Sequence, residues 1–91
     1  MTVAETIRSK LDAAFSPARL TIVDDSARHA GHAGARPEGE THFTVEIVAE
    51  AFTGKSRIDR QRLIHTVLAQ ELAGPVHALS LKAMTPDEAG R

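Results

Sequence analysis

The chain contains no cysteine, no tryptophan and no tyrosine. Without thiols it forms no disulfide, carries no thiolate nucleophile and cannot hold a zinc finger or an Fe–S cluster by itself. Three Phe are too few for a platform on which bases stack. No apolar run approaches the roughly 20 residues that span a bilayer. The opening MTVAETIRSK is amphipathic and of mixed charge, so no signal peptide is expected. Eleven Lys and Arg against twelve Asp and Glu leave a net charge of −1. That balance is not the footprint of a protein that binds nucleic acid with its whole surface. Glycine-rich phosphate cradles and G-x-S-x-G are absent. The carboxylates Asp24-Asp25 and Glu38/Glu40 sit where turns are expected rather than as an acid–base pair. The expectation is a soluble, cytoplasmic protein that is not an enzyme and has no membrane partner.

What is present is enough for one domain, residues 1–91. Thr2 with Glu5 is a possible capping box, and Val3, Ile7, Leu11, Ala14 and Phe15 recur at helical spacing. This predicts a helix over 3–15, stopped by Ser16-Pro17. Residues 19–24, RLTIVD, alternate and are β-branched, as in a short strand. A long loop over 25–40, rich in Gly and His, follows; loops of that length tend to be functional. Residues 41–49 alternate cleanly, with Phe43, Val45 and Ile47 on one face and His42, Thr44 and Glu46 on the other. A turn at Phe52-Thr53-Gly54-Lys55 precedes a second helix, with Ser56 and Asp59 as its capping residues. Leu63, Ile64, Val67, Leu68 and Leu72 form its apolar stripe, and Gly74-Pro75 ends it. A third strand over 76–84 places His77, Leu79, Leu81 and Ala83 on one face. Residues 85–91 are expected to fray. The order α-β-β-α-β, with a right-handed parallel crossover between the last two strands, predicts an α+β fold. It would have one three-stranded mixed sheet with helices on one face.

Five histidines stand out in a chain without cysteine. His29 and His32 form H-x-x-H in the long loop; imidazole is the commonest metal ligand, but from spacing alone a flexible polar loop with incidental histidines is the favoured reading. His77 falls at the start of a strand, either as a half-buried histidine bonded to backbone or as a metal ligand on a rigid element. His42 reads as a cross-strand surface residue and His65 as a solvated helix residue. Lys55, Arg57, Arg60 and Arg62, interrupted by Asp59, concentrate positive charge at the start of the second helix. They form either a phosphate-contacting surface or a solvated charged face.

Taken jointly, several strings resemble the BolA family. They are Asp24-Asp25-Ser26 with His29, Gly39-Glu40-Thr41-His42-Phe43 with Val45 and Ile47-Val48, and Phe52-x-Gly54-x-Ser56-Arg57-x-x-Arg60-x-Arg62. Leu68-x-x-Glu71-Leu72, Val76-His77-Ala78-Leu79 and Thr85-Pro86 complete the match. The resemblance implies a class II KH-like fold and a monothiol glutaredoxin partner. It also implies a [2Fe–2S] cluster shared with glutaredoxin and glutathione, with no cofactor in the isolated protein, which would be a monomer or weak homodimer. The cluster ligands it implies are His77 and a loop histidine, His29 with His32 in reserve. The alternative is a DNA-binding transcriptional regulator that uses Lys55, Arg57, Arg60 and Arg62. Two departures are visible: Gln61 stands where the family commonly has His, and Gly54-Lys55-Ser56-Arg57 lacks the second glycine of a nucleic-acid-binding Gly-x-x-Gly loop.

Overall fold

The structure is a computed structural model and describes residues 2–25 and 42–90. The expected loop histidines His29 and His32 lie outside the described residues.

Helix α1 spans Val3–Phe15. It begins with a complete capping box. The Glu5 N–H donates to Thr2 Oγ1 at 3.1 Å, and the Thr2 N–H donates to Glu5 Oε1 at 3.2 Å. These bonds satisfy two of the donors that every helix start leaves open. They also hold the Glu5 carboxyl below its ordinary range, chiefly through the bond from the Thr2 backbone. At the other end Ser16 turns into the left-handed region, with φ 46°, and its N–H donates to the Asp12 carbonyl. Pro17 then directs the chain into strand β1, Arg19–Asp24.

Strand β2, His42–Val48, is the centre of the sheet. It pairs antiparallel with β1 and parallel with β3, Ala78–Met84. The two registers put Leu20 beside Ile47 and Ile22 beside Val45, and set Leu79, Leu81 and Ala83 against Phe43, Val45 and Ile47. All of these belong to the core together with Ile7 and Leu11 of α1. Because side chains alternate along a strand, this is one face of the sheet, and the helices cover it.

A 3₁₀ turn, Glu50–Phe52, leads out of β2. Phe52 is fully buried and its ring lies 5.1 Å from that of Phe15. Gly54 follows with φ +79°, a conformation that favours glycine, and a Cβ there would meet nothing within 4 Å. Gly54→Ala is therefore expected to cost about 1–2 kcal/mol through backbone strain alone. For a domain of this size that lowers Tm by several degrees, at about 4–8 °C per kcal/mol. A Tm equal to wild type would show that the turn relaxes.

Helix α2, Arg57–Val67, starts from Ser56, whose hydroxyl accepts from the Asp59 N–H at 3.1 Å. The sequence predicts one helix as far as Gly74. The structure divides it at Leu68, where φ −100° and ψ 19° leave helical geometry, and α3 runs Ala69–Ala73. Ile64 and Leu68 are buried and Val67 and Leu72 pack beside them, as the stripe predicts. Leu63 does not join them: it is 37% exposed. One residue is 100° of helix rotation, so Leu63 cannot share a line with both Ile64 and Leu68.

Two further expectations are corrected. Residues 85–90 do not simply fray. Pro86–Ala89 form a helical turn, α4, with its own capping box between Thr85 and Glu88. The third strand begins at Ala78 rather than Val76. Val76 is buried and its N–H donates to the Glu71 carbonyl at 2.9 Å, so that residue belongs to the end of the helical layer. Glu71 is itself buried, and its carboxylate receives Lys10 Nζ at 2.8 and 3.0 Å, tying α3 to α1. Among the described residues no helix is long and apolar enough to cross a membrane.

Candidate functional site

The parallel pairing of β2 and β3 brings their N-terminal ends together. His42 opens β2 and lies opposite Ala78, the first residue of β3. His77 immediately precedes Ala78. Its side chain is exposed, not directed to the apolar face with Leu79 and Leu81 as the alternation predicts. The physical reason is that His77 lies outside the ladder, in the bend that joins buried Val76 to the strand, where period-two alternation does not apply. The ring of His77 stands 6.4 Å, centroid to centroid, from the half-buried ring of His42, at an interplanar angle of 29°. The sequence reading sets His42 aside as a surface residue. Its proximity to His77 follows from the order and direction of the strands, and local patterning alone does not carry it.

Around this end of the sheet the backbone is held firmly. The Asp25 N–H donates to the His42 carbonyl at 2.7 Å, and the Thr44 hydroxyl donates to the Asp25 carboxylate. His65 is exposed on α2, as expected. The described residues contain no group of three or more His, Cys, Asp or Glu suited to hold a metal ion.

The second candidate feature, the basic start of α2, lies at the opposite end of the sheet. Lys55, Arg57 and Arg62 are exposed there. Arg62 approaches Asp59 only at 3.8 Å, an exposed pair of little energetic weight. Arg60 behaves differently from its three neighbours. Its Nε donates to the Lys55 carbonyl at 3.0 Å and its Nη1 to the Ala83 carbonyl at 3.1 Å. Both terminal nitrogens also grip the Glu88 carboxylate, at 2.6 and 3.1 Å. Its side chain is 12% exposed. Arg60 thus has a structural role that the other three cations lack: its donors are directed into the fold. A guanidinium fork suits such a bidentate carboxylate and carbonyl clasp, which an ammonium would not reproduce. The clasp holds Glu88 well below the ordinary carboxylate range, at about 2. The Arg60 side chain is the first cause and the bond from the Thr85 backbone the second.

A groove runs between α2 and β3, lined by Arg57, Arg60, Gln61, Leu81, Lys82 and Ala83, with a volume of about 460 Å³. It is open and polar, and Arg57 and Lys82 give it positive character.

A three-stranded mixed sheet with its helices on one face, a pair of imidazoles at one end and a basic helix start at the other define a small α+β module. Comparison with known proteins makes the assignment specific. The family described as BolA-like protein matches residues 11–88. BolA-like protein 1 of Pongo abelii is 48% identical over 88 residues, covering 97% of this chain and 61% of that protein. The protein named DNA-binding transcriptional regulator BolA of Escherichia coli is 44% identical over 88 residues, covering 97% of this chain and 80% of that one. Among solved structures, the BolA domain of SufE1 from Arabidopsis thaliana superposes with a TM-score of 0.84 at 46% identity, covering 93% of each chain. The chain belongs to the BolA family. It spans less than two thirds of the Pongo relative, so that protein's activity as a whole does not transfer with the domain.

Proposed function

We propose that the chain is an accessory module that joins a monothiol glutaredoxin and shares a [2Fe–2S] cluster with it. The observation that carries this reading is His77, an exposed imidazole held on a rigid base. Buried Val76 precedes it and the strand follows it, so its backbone position is defined while its ring is open to a partner. The donor set fits the group. A chain without cysteine offers imidazole but no thiolate, and a cluster can take imidazole on one iron while a partner brings thiolates to the other. His77 would be the ligand from the described residues. His29 or His32, outside them, would be the second, as the family resemblance implies. Mixed ligation of this kind raises the reduction potential relative to all-thiolate clusters, and suits cluster handling or iron and redox sensing. An imidazole ligates only when neutral, so cluster binding should weaken as pH falls.

The test is anaerobic reconstitution of the cluster with monothiol glutaredoxin and glutathione, followed by visible absorption and circular dichroism. The expected result is a spectrum distinct from the glutaredoxin homodimer, lost in His77→Ala. The glutaredoxin spectrum unchanged by either protein would overturn the reading.

A second reading is supported by the name of the Escherichia coli relative, DNA-binding transcriptional regulator BolA, and by the exposed Lys55, Arg57 and Arg62. In it these side chains contact DNA phosphates, and affinity falls steeply with salt. Its test uses Lys55→Ala with Arg57→Ala, since Arg60 serves the fold. Affinity insensitive to salt and to both substitutions would remove it.

A further inference from the structure

We infer that the outer edge of β3 is a docking strand for an extended, acidic peptide segment of a partner protein, which pairs with the backbone of Leu79 and Leu81 between Arg57 and Lys82. The site uses neither His77 nor a cluster and does not rest on the glutaredoxin reading.

The case begins with the edge itself. In the order β1-β2-β3, no strand lies on the outer side of β3 among the described residues. Both backbone groups of a strand residue point to one side, and those of the next residue to the other. The Met84 carbonyl accepts from the Ala49 N–H at 2.9 Å, so Met84, Lys82 and Ser80 turn their backbone groups toward β2. Ala83, Leu81 and Leu79 turn theirs outward. Arg60 reports the same direction, because its Nη1 reaches the Ala83 carbonyl from outside the ladder at 3.1 Å. Leu79 and Leu81 each keep an outward N–H and C=O, the pattern that an added strand completes.

The groove between α2 and β3 follows this edge. Three consecutive strand residues, Leu81, Lys82 and Ala83, line it. Their side chains alternate between the two faces of the sheet, so all three border one groove only if it runs along the edge. Arg57 and Gln61 of α2 form the far wall. Arg60 closes the Ala83 end and confines pairing to a short stretch.

Charge selects the occupant. Arg57 is exposed on the α2 wall, and Lys82 is exposed on the open face of the sheet. Of the nearby carboxylates, Glu88 is held by Arg60, and Glu46, the register partner of Lys82, offsets only part of the positive charge. A second copy paired along the same edge would set these cations against their own equivalents, and charge on an edge is one way sheets resist self-pairing. A segment with two adjacent carboxylates meets both cations instead. Its successive side chains turn to opposite faces, one toward Arg57 and the next toward Lys82. Nucleic acid would neutralise the cations, but its phosphodiester backbone carries no amides to pair with Leu79 and Leu81.

The experiment is a ¹H–¹⁵N titration of the full chain with the peptide Thr-Val-Glu-Glu-Val-Thr, whose β-branched residues favour an extended backbone. The expected result is saturable shifts at the amides of Leu79, Leu81 and Ala83. Affinity should fall about three- to tenfold in Arg57→Glu, in Lys82→Glu and with a Gln-Gln peptide. Methylating alternate backbone nitrogens of the peptide should weaken binding about tenfold in at least one of the two phases. Circular dichroism and Tm separate lost binding from lost fold, and Arg57→Gln and Lys82→Gln serve if a charge reversal unfolds the chain. Four results would each overturn the inference. They are no saturable shift, full affinity of the methylated peptide in both phases, the same amides shifted by a DNA oligonucleotide at lower concentration, and shifts of those amides with protein concentration alone. The second would leave charge without strand pairing, the third a nucleic-acid surface, and the fourth a second copy on the edge. The glutaredoxin reconstitution stands or falls separately, because that assay turns on His77.

Discussion

Phe52→Ala is expected to destabilise the protein by about 3–5 kcal/mol, the range for deleting a fully buried aromatic side chain. The loss has two parts: the transfer free energy of the ring, and the cavity left where neighbours cannot close in. Both are present here. Phe52 has no exposure and sits among the core residues, with Phe15 at a ring separation of 5.1 Å. Its position limits relaxation. It is carried by the short 3₁₀ turn between β2 and α2, and the Phe52 carbonyl accepts from the Lys55 N–H, so the turn cannot easily collapse into the void. A domain of this size has only about 5–15 kcal/mol in total. A large part of that margin disappears, and the midpoint of urea unfolding should fall sharply with little change in slope. A loss under about 1.5 kcal/mol would show that α1 and α2 close over the gap, and that the ring is not the keystone its burial suggests.

Arg60→Met should have the next largest effect, about 2–3 kcal/mol, even though Met retains much of the stem's apolar volume. One side chain serves the Lys55 carbonyl, the Ala83 carbonyl and the Glu88 carboxylate. Hydrogen bonds to charged groups contribute about 1.5–3 kcal/mol, and removing the donor leaves its acceptors to find water. The clasp links the loop before α2, the end of β3 and α4, so α4 should loosen most.

The same clasp sets an acid response. The Glu88 carboxyl stands at 4.5 in its ordinary state and at about 2 in the fold, so the folded form favours the ionised group. Its contribution is complete above about pH 4.5 and is lost as pH falls through about 2. Urea titrations from pH 6 to pH 2 should therefore show a steeper acid limb for wild type than for Glu88→Gln or Arg60→Met. Parallel limbs in all three would show that Glu88 does not couple to folding. This prediction also bears on DNA binding. A loss of binding in an Arg60 variant would report a damaged fold as readily as a lost phosphate contact, so Lys55 and Arg57 are the informative positions.

Much of this molecule is determined locally. The Thr2–Glu5 box, the Ser56 cap, the Ser16-Pro17 stop and the alternation of Phe43, Val45 and Ile47 each act over a few residues. Such short-range chemistry is why the boundaries of α1 and β1 and the identity of the sheet's buried face were legible in the sequence. The strings shared with the BolA family were legible for the same reason, since they are contiguous. Other features depend on partners distant in the chain. Arg60 reads as one cation among four, and only Ala83 and Glu88, more than twenty residues on, take it out of the exposed basic group. Glu71 meets its partner Lys10, about sixty residues away in the chain, only in the helical layer. The pairing of His42 with His77 required knowing that β2 and β3 run parallel in a register that sets His42 opposite Ala78. Periodicity determines which face of an element is apolar, because burial repeats along the chain. The meeting of single polar groups was decided by tertiary structure alone, because it depends on strand direction and register, which no local pattern encodes.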